Sequence, residues 1–255
     1  MLCCSGHDPT GGAGVQADIE AVAAQGAHAL TVVTALTAQD TRNVSQVVPV
    51  AAELLAAQLE LLRADCPIAA VKLGLLGDAG QLPVLAALLR EVKVPVVFDP
   101  ILRAGGGAEL TAREFAEQIR IQLFPLCTVL TPNAAEARRW TGEQDLDAAA
   151  AQLLSTGVAH VLVTGGDEPG PLAQNRWYAP GQPVRVFEKP RLPGSFHGAG
   201  CTLAATIAAR LALGEHIETA LIAAQDYVHL TLSHAVAVGA GRSVPRRSLP
   251  PGVWA

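Results

Sequence analysis

Leu2-Cys3-Cys4-Ser5-Gly6-His7-Asp8-Pro9-Thr10-Gly11-Gly12-Ala13-Gly14-Val15-Gln16-Ala17-Asp18-Ile19 opens the chain and sets its architecture. Residues 2–4 form a short apolar run suited to a buried strand. A glycine-rich turn follows. Residues 15–25 then carry Val15, Ile19 and Val22 at helical spacing, with Gly26 as the stop. Strand, glycine turn and helix make half of a βαβ unit, and the same alternation runs outward along the chain. Strands are predicted over 29–36, 44–48 (at a sheet edge), 69–75, 94–98, 127–130 and 160–163. A hairpin is predicted from 176–178 and 184–187. Helices are predicted over 52–63, 82–91, 111–123, from the cap at Asn133, over 145–155, 201–213 and 217–238, before an irregular Pro- and Arg-rich tail. The reading is one α/β domain over residues 1–255, its central, mostly parallel sheet covered by helices on both faces. Ligands of such sheets sit beyond the carboxyl ends of the strands.

Composition fits this. Of the 255 residues, 50% are hydrophobic but only 4% aromatic, so the core mass is Ala, Leu and Val, as helices packed on a parallel sheet require. The net charge of −5 argues against a nucleic-acid or anionic-membrane partner. No apolar run reaches the ~18 residues of a membrane span, and the first residues do not read as a signal peptide. The five cysteines, Cys3, Cys4, Cys66, Cys127 and Cys201, lack metal-type pairing, and a cytoplasmic, reducing setting is expected.

Five segments carry candidate chemistry. In the first, the glycines from Gly6 to Gly14 allow close backbone approach to a ligand, although they match neither a Walker A loop nor a dinucleotide fingerprint. Asp18 follows in what is predicted to be the first helical turn, where it either answers the helix dipole or accepts hydrogen bonds from a substrate. In the second, Gln39 stands beyond a strand end and can offer a paired donor and acceptor to a heterocycle edge, or be a solvated loop residue. In the third, Asp99 ends a buried strand, a costly place for an acid unless it meets a metal, a cation or a phosphate-bound water. In the fourth, Asn133 and Glu136 have the spacing of an ordinary helix cap.

The fifth, Phe196-His197-Gly198-Ala199-Gly200-Cys201-Thr202, is the strongest. Gly198, Ala199 and Gly200 at a helix start expose several N–H groups toward one point. The helix dipole adds positive potential there, and such a nest suits a phosphoryl group in transfer. Cys201 lies in the first turn. The helix terminus is expected to lower its thiol pKa, so that the thiolate can take a proton from an attacking hydroxyl. Residues 103–108, with three consecutive glycines, read as a mobile loop able to close over the site.

Taken in order, these segments, together with Thr34-Ala35-Leu36, Lys72-Leu73-Gly74 and Thr131-Pro132-Asn133, resemble the hydroxymethylpyrimidine/phosphomethylpyrimidine kinases of thiamine biosynthesis, within the ribokinase-like superfamily. The resemblance spans nearly the whole chain. It implies two ATP-dependent phosphorylations, first of 4-amino-5-hydroxymethyl-2-methylpyrimidine and then of its monophosphate. It also implies Mg²⁺, a small-molecule pyrimidine partner and a homodimer. By the same resemblance Asp18, Gln39 and Gly6 hold the pyrimidine, and Leu75 and Ile101 wall its pocket. Asp99, Glu136 and Asn133 lie near Mg²⁺ and its waters, Thr164 and Gly166 lie on the nucleotide side, and Gly198, Ala199, Gly200 and Cys201 form the anion hole with Cys201 as base. The chain departs from the pattern at Thr164-Gly165-Gly166, where many relatives carry Lys-Gly-Gly, and after Ile101, where Arg103 and glycines replace Lys-Ser. A pyridoxal kinase of the same fold remains an alternative, as does a non-catalytic pyrimidine sensor.

Overall fold

The computed structural model describes residues 1–102 and 112–248. The sheet is built from β1 (Leu2–His7), β2 (Leu30–Gln39), β3 (Val44–Pro49), β4 (Val71–Leu73), β5 (Val96–Phe98), β6 (Val129–Leu130), β7 (His160–Val163), β8 (Leu172–Tyr178) and β9 (Arg185–Pro190). The helices are α1 (Gly14–Ala24), α2 (Ala52–Asp65), α3 (Gln81–Val92), α4 (Arg113–Gln122), α5 (Ala134–Thr141), α6 (Leu146–Leu154), α7 (Ala199–Ala212) and α8 (Ile217–Ser233). Among the described residues these nine strands join one sheet in the order β3-β2-β1-β4-β5-β6-β7-β8-β9. The middle six run parallel, and β3, β8 and β9 are antiparallel additions at the edges. The chain leaves β1 toward β2 on one side and reaches β4 on the other, so the order reverses at β1 and a crevice opens at the carboxyl ends there.

Strand periodicity sorts the core into two layers. Leu2, Cys4, Val71, Leu73, Val96, Phe98, Leu130, Val161 and Val163 face α2 to α6, through Leu55, Leu85, Ile119, Ala137 and Leu153. Cys3, Ala70, Val97, Val129 and Leu162 face α1, α7 and α8, through Val22, Ala204, Ala208 and Leu221. Small alanines on α7 let it lie close to the sheet. Lys72 sits between Val71 and Leu73 and is fully buried.

Several boundaries differ from the sequence reading. β1 runs on to His7 because Ser5 and His7 still pair with Val33 and Leu36 of β2 across a local irregularity. β2 extends to Gln39, which therefore sits on the strand end rather than in a loop. The last helix ends at Ser233, short of 238, because Val236 instead exchanges backbone hydrogen bonds with Val244, at 2.9 Å in each direction. Within the described part of the tail, Arg247 is among the most deeply buried side chains. The triglycine loop at 103–108 and the Thr111 cap lie outside the described residues. Among the described residues no helix is long and apolar enough to cross a membrane. All five cysteines are free thiols.

Candidate active site

A cavity of about 570 Å³ opens at the carboxyl ends of the parallel strands and brings together nearly every residue singled out in the sequence. Gly6, Gln39, Leu75, Asp99, Ile101, Asn133, Glu136, Thr164, Gly166, Gly198, Ala199, Gly200 and Cys201 all line it.

One part of its lining is the start of α7. Gly198 is the N-cap, with φ 91°, and carries no side chain to satisfy the first-turn N–H groups. A Cβ built on Gly198 would lie 1.7 Å from the Gly12 carbonyl oxygen, so only glycine fits. Gly14 is similar, with φ +62° and an ideal Cβ 2.2 Å from the Gly6 carbonyl oxygen. The Gly198–Gly12 contact brings the two glycine loops together, and the first-turn residues of α7 line the cavity.

Behind the nest lies a cluster of buried charge. Lys72 Nζ is 2.8 Å from Asp18 Oδ1 and donates to Asp18 Oδ2 at 3.0 Å and to Ser5 Oγ at 2.9 Å. Burial is the largest single influence on Lys72 and works against its ammonium, but Asp18, Cys201 and Asp99 together outweigh it and hold the lysine charged, above its usual range. Asp99 is pushed up to about 6, chiefly by burial and against the pull of Lys72. Glu136 is pushed up to about 8, first by burial and then by the Asp99 charge. Cys201 is pushed up to about 12: burial dominates, and Asp99 and Asp18 add to it against Lys72 and the Gly14 N–H. The sequence expectation of a lowered thiol pKa is corrected here. A helix terminus favours the thiolate, but full burial beside two carboxylates outweighs it.

Asp18 also departs from expectation. α1 begins at Gly14, so Asp18 lies in the second turn. Its side chain is fully buried and does not reach the cavity wall; it supports Lys72, which does. On the substrate side, Gln39 is half-buried at the end of β2, and its side-chain amide makes no hydrogen bond among the described residues. Leu75 and Ile101 supply apolar wall, and Gly6 packs with an ideal Cβ only 3.0 Å from Leu75 Cδ2.

Asn133 and Glu136 form the capping box their spacing suggests: Glu136 N–H donates to Asn133 Oδ1 at 2.8 Å, and Asn133 N–H to Glu136 Oε2 at 3.0 Å. They line the cavity as well. Thr164 follows β7 directly and exchanges backbone hydrogen bonds with the neighbouring segment, accepting from Ala134 N–H and donating to Pro132 O, each at 2.9 Å.

Sequence reasoning missed the clamp around the nest. Asp8 accepts from Thr10 N–H, Thr10 Oγ1 and Ala13 N–H, each at 2.8 Å, and His197 Nε2 lies 2.8 Å from Asp8 Oδ2. Burial works to raise the Asp8 carboxyl, but the His197 and Thr10 hydrogen bonds hold it below the usual range. Arg247, from the tail, donates through Nε to Thr202 Oγ1 at 2.8 Å, through Nη1 to Gly11 O at 3.3 Å, and through Nη2 to Gly12 O. One signal was available for Lys72: a lone charge inside an apolar strand needs a buried partner.

A sheet of this order, with an amide nest and buried acids at the carboxyl ends of its strands, defines a ribokinase-like small-molecule kinase. The sequence profile of the family described as phosphomethylpyrimidine kinase matches residues 8–246. The chain belongs to that family. It is 37% identical over 247 residues to the hydroxymethylpyrimidine/phosphomethylpyrimidine kinase of Synechococcus elongatus, covering 94% of each chain. It is 34% identical over 253 residues to the enzyme of that name from Haemophilus influenzae, covering 94% of this chain and 93% of the relative. Among solved structures, the ADP complex of Bacillus subtilis pyridoxal kinase superposes with a TM-score of 0.89 at 30% identity, covering 97% of this chain and 96% of that one. Phosphomethylpyrimidine kinase from Clostridium difficile superposes with a TM-score of 0.78 at 29% identity, covering 91% and 98%.

Proposed function

We propose that this chain transfers the terminal phosphoryl group of ATP to the hydroxymethyl oxygen of 4-amino-5-hydroxymethyl-2-methylpyrimidine, and then adds a second phosphoryl group to the monophosphate. The observation that carries this reading is the amide nest at Gly198, Ala199 and Gly200, placed in one cavity with Cys201 and the free amide of Gln39. The nest would hold the three equatorial oxygens of the phosphoryl group, whose charge peaks in a loose transition state. The new bond joins the hydroxymethyl oxygen to the γ-phosphorus, the bond to the β–γ bridging oxygen breaks, and the hydroxyl proton passes to the Cys201 sulfur in the fraction of molecules where that sulfur has already lost its own proton.

The nucleotide side rests on Asn133, Thr164 and Gly166, and is supported by the ADP complex of Bacillus subtilis pyridoxal kinase and the AMP-PCP complex of Staphylococcus aureus pyridoxal kinase. Among the described residues no group of three or more His, Cys, Asp or Glu could hold a metal ion unaided. Asp99 and Glu136 nevertheless suit Mg²⁺, which keeps its waters and needs only one or two carboxylates beside substrate phosphates. Both carboxyls are raised by burial, and Asp99 raises Glu136, so a divalent charge would relieve both. Bound Mg²⁺ would neutralise charge on the transferring phosphates. Gln39 would read the pyrimidine edge between the Leu75 and Ile101 walls, with Asp18 contributing only through Lys72. The reading includes a homodimer working in the cytoplasm.

A pyridoxal kinase is the second reading, supported by the higher TM-score of the Bacillus subtilis enzyme. Side-by-side kcat/KM values for hydroxymethylpyrimidine and pyridoxal test the choice. Higher kcat/KM for the pyrimidine, with Gln39→Ala raising its KM and leaving kcat near normal, is expected. Transfer to pyridoxal alone would move the assignment.

A further inference from the structure

Four lysine and arginine side chains border the cavity among the described residues: Lys72, Lys189, Arg191 and Arg242. Three of them are engaged. Lys72 is paired with Asp18 at 2.8 Å. Lys189 is paired with Asp226 at 2.5 Å. Arg191 donates to the carbonyls of Gly170 at 2.7 Å and Leu172 at 3.1 Å, and to those of Gly166 and Glu168. Its fork therefore organises the 165–172 loop.

Arg242 is different. Among the described residues its side chain makes no hydrogen bond and no ion pair, and its Nε is buried without a partner. Asp167 and Asp8 are the carboxylates whose charge it feels, and Asp8 is already held by His197, Thr10 and Ala13. The backbone fixes its position. Arg242 N–H donates to Thr41 O at 3.0 Å, and the next residue, Ser243, donates to Ser195 O at 3.0 Å while accepting from His197 N–H at 2.9 Å. Residue 242 is thus pinned between the β2–β3 hairpin and the loop that delivers Gly198 to the nest. A half-buried guanidinium with an orphaned Nε lacks a hydrogen-bonding partner. Its planar fork matches phosphate oxygens. Thr164 brings no cation to the nucleotide side.

We propose that Arg242 is a phosphoryl-binding residue, its guanidinium taking oxygens of a phosphate lodged between the two glycine loops. That phosphate is either the terminal phosphate of ATP or the one carried by the monophosphate substrate. The inference rests on the kinase reading above and deepens it.

Titration calorimetry on the full chain and on Arg242→Gln and Arg242→Lys tests it, with AMP-PCP and the pyrimidine monophosphate as probes and with adenosine and the unphosphorylated pyrimidine as phosphate-free controls. In Arg242→Gln at least one phosphorylated ligand is expected to bind about 10-fold more weakly, the size of a lost charged hydrogen bond. The phosphate-free ligands should bind as before, and Arg242→Lys should recover part of the loss. A loss confined to AMP-PCP assigns the ATP phosphate, and one confined to the monophosphate assigns the substrate's. Unchanged binding of both phosphorylated ligands, or equal loss for adenosine and AMP-PCP, overturns the proposal while the wild type stays active. A wild-type chain that phosphorylates nothing overturns the kinase reading itself, and this inference with it.

Discussion

Gly198 approaches Gly12 so closely that a single added carbon would stand 1.7 Å from the Gly12 carbonyl oxygen and 2.8 Å from Arg247 Nη2. The first glycine loop, the amide nest and the tail arginine therefore pack directly against one another. Gly198→Ala must push these loops apart and also strain a φ of +91°. It is expected to lower kcat by about 10²-fold or more, the size seen when one oxyanion donor is lost, with the near-ultraviolet circular dichroism retained. Single-turnover rates check this. A variant with normal kcat would show that the nest does not hold the transferring group.

The Lys72–Asp18 pair yields a stability prediction. Both side chains have zero exposure, so removing one partner leaves the other buried and uncompensated. Asp18→Asn and Lys72→Met are each expected to cost about 3–5 kcal/mol in urea unfolding. Lys72→Met with Asp18→Leu should recover much of that loss. If Asp18→Asn folds as stably as the wild type and only KM for the pyrimidine rises, Asp18 contacts substrate after all.

Fold and site were unequally legible in the sequence. The βα alternation, the edge position of β3 and the Asn133–Glu136 capping box all follow from patterns a few residues long. What escaped was pairing at long range: Lys72 with Asp18 across 54 residues, His197 with Asp8 across 189, Arg247 with Gly12 across 235. No local periodicity reports such contacts. The Cys201 expectation failed for a related reason, because a helix terminus is visible in sequence whereas the depth of burial and the carboxylates around it are not.

Ligand-free stability should carry the mark of Glu136 and Asp99. Their folded pKa values, about 8 and about 6, lie above the unfolded carboxylate range of about 4, so the folded state favours the protonated forms. That contribution is complete below the unfolded values and is lost as pH rises through the folded ones. His160 and His229, both lowered by burial, act in the opposite direction, and their contribution is complete once pH has risen through the unfolded histidine value of about 6.5. Between about pH 7 and 8.5 the wild-type Tm should therefore fall more steeply than that of Glu136→Gln, and saturating Mg²⁺ with AMP-PCP should reduce the difference. Parallel Tm curves for the two proteins without ligand would contradict the assignment.

Cys201 carries its proton at neutral pH, its thiol being pushed up to about 12. If the sulfur is the base, kcat should climb with pH from about 7 to 9, and Cys201→Ala should lower it by about 10²-fold or more and abolish the slope. A near-normal rate in that variant removes Cys201 as the base.

The central claim is tested most directly by incubating the purified chain with ATP, Mg²⁺ and hydroxymethylpyrimidine and resolving the products by mass over time. The expected result is the monophosphate, followed by the diphosphate as the monophosphate is consumed. Accumulation of monophosphate alone would confine this chain to the first step. Absence of any phosphorylated pyrimidine, under conditions where ATP is bound, would contradict the account.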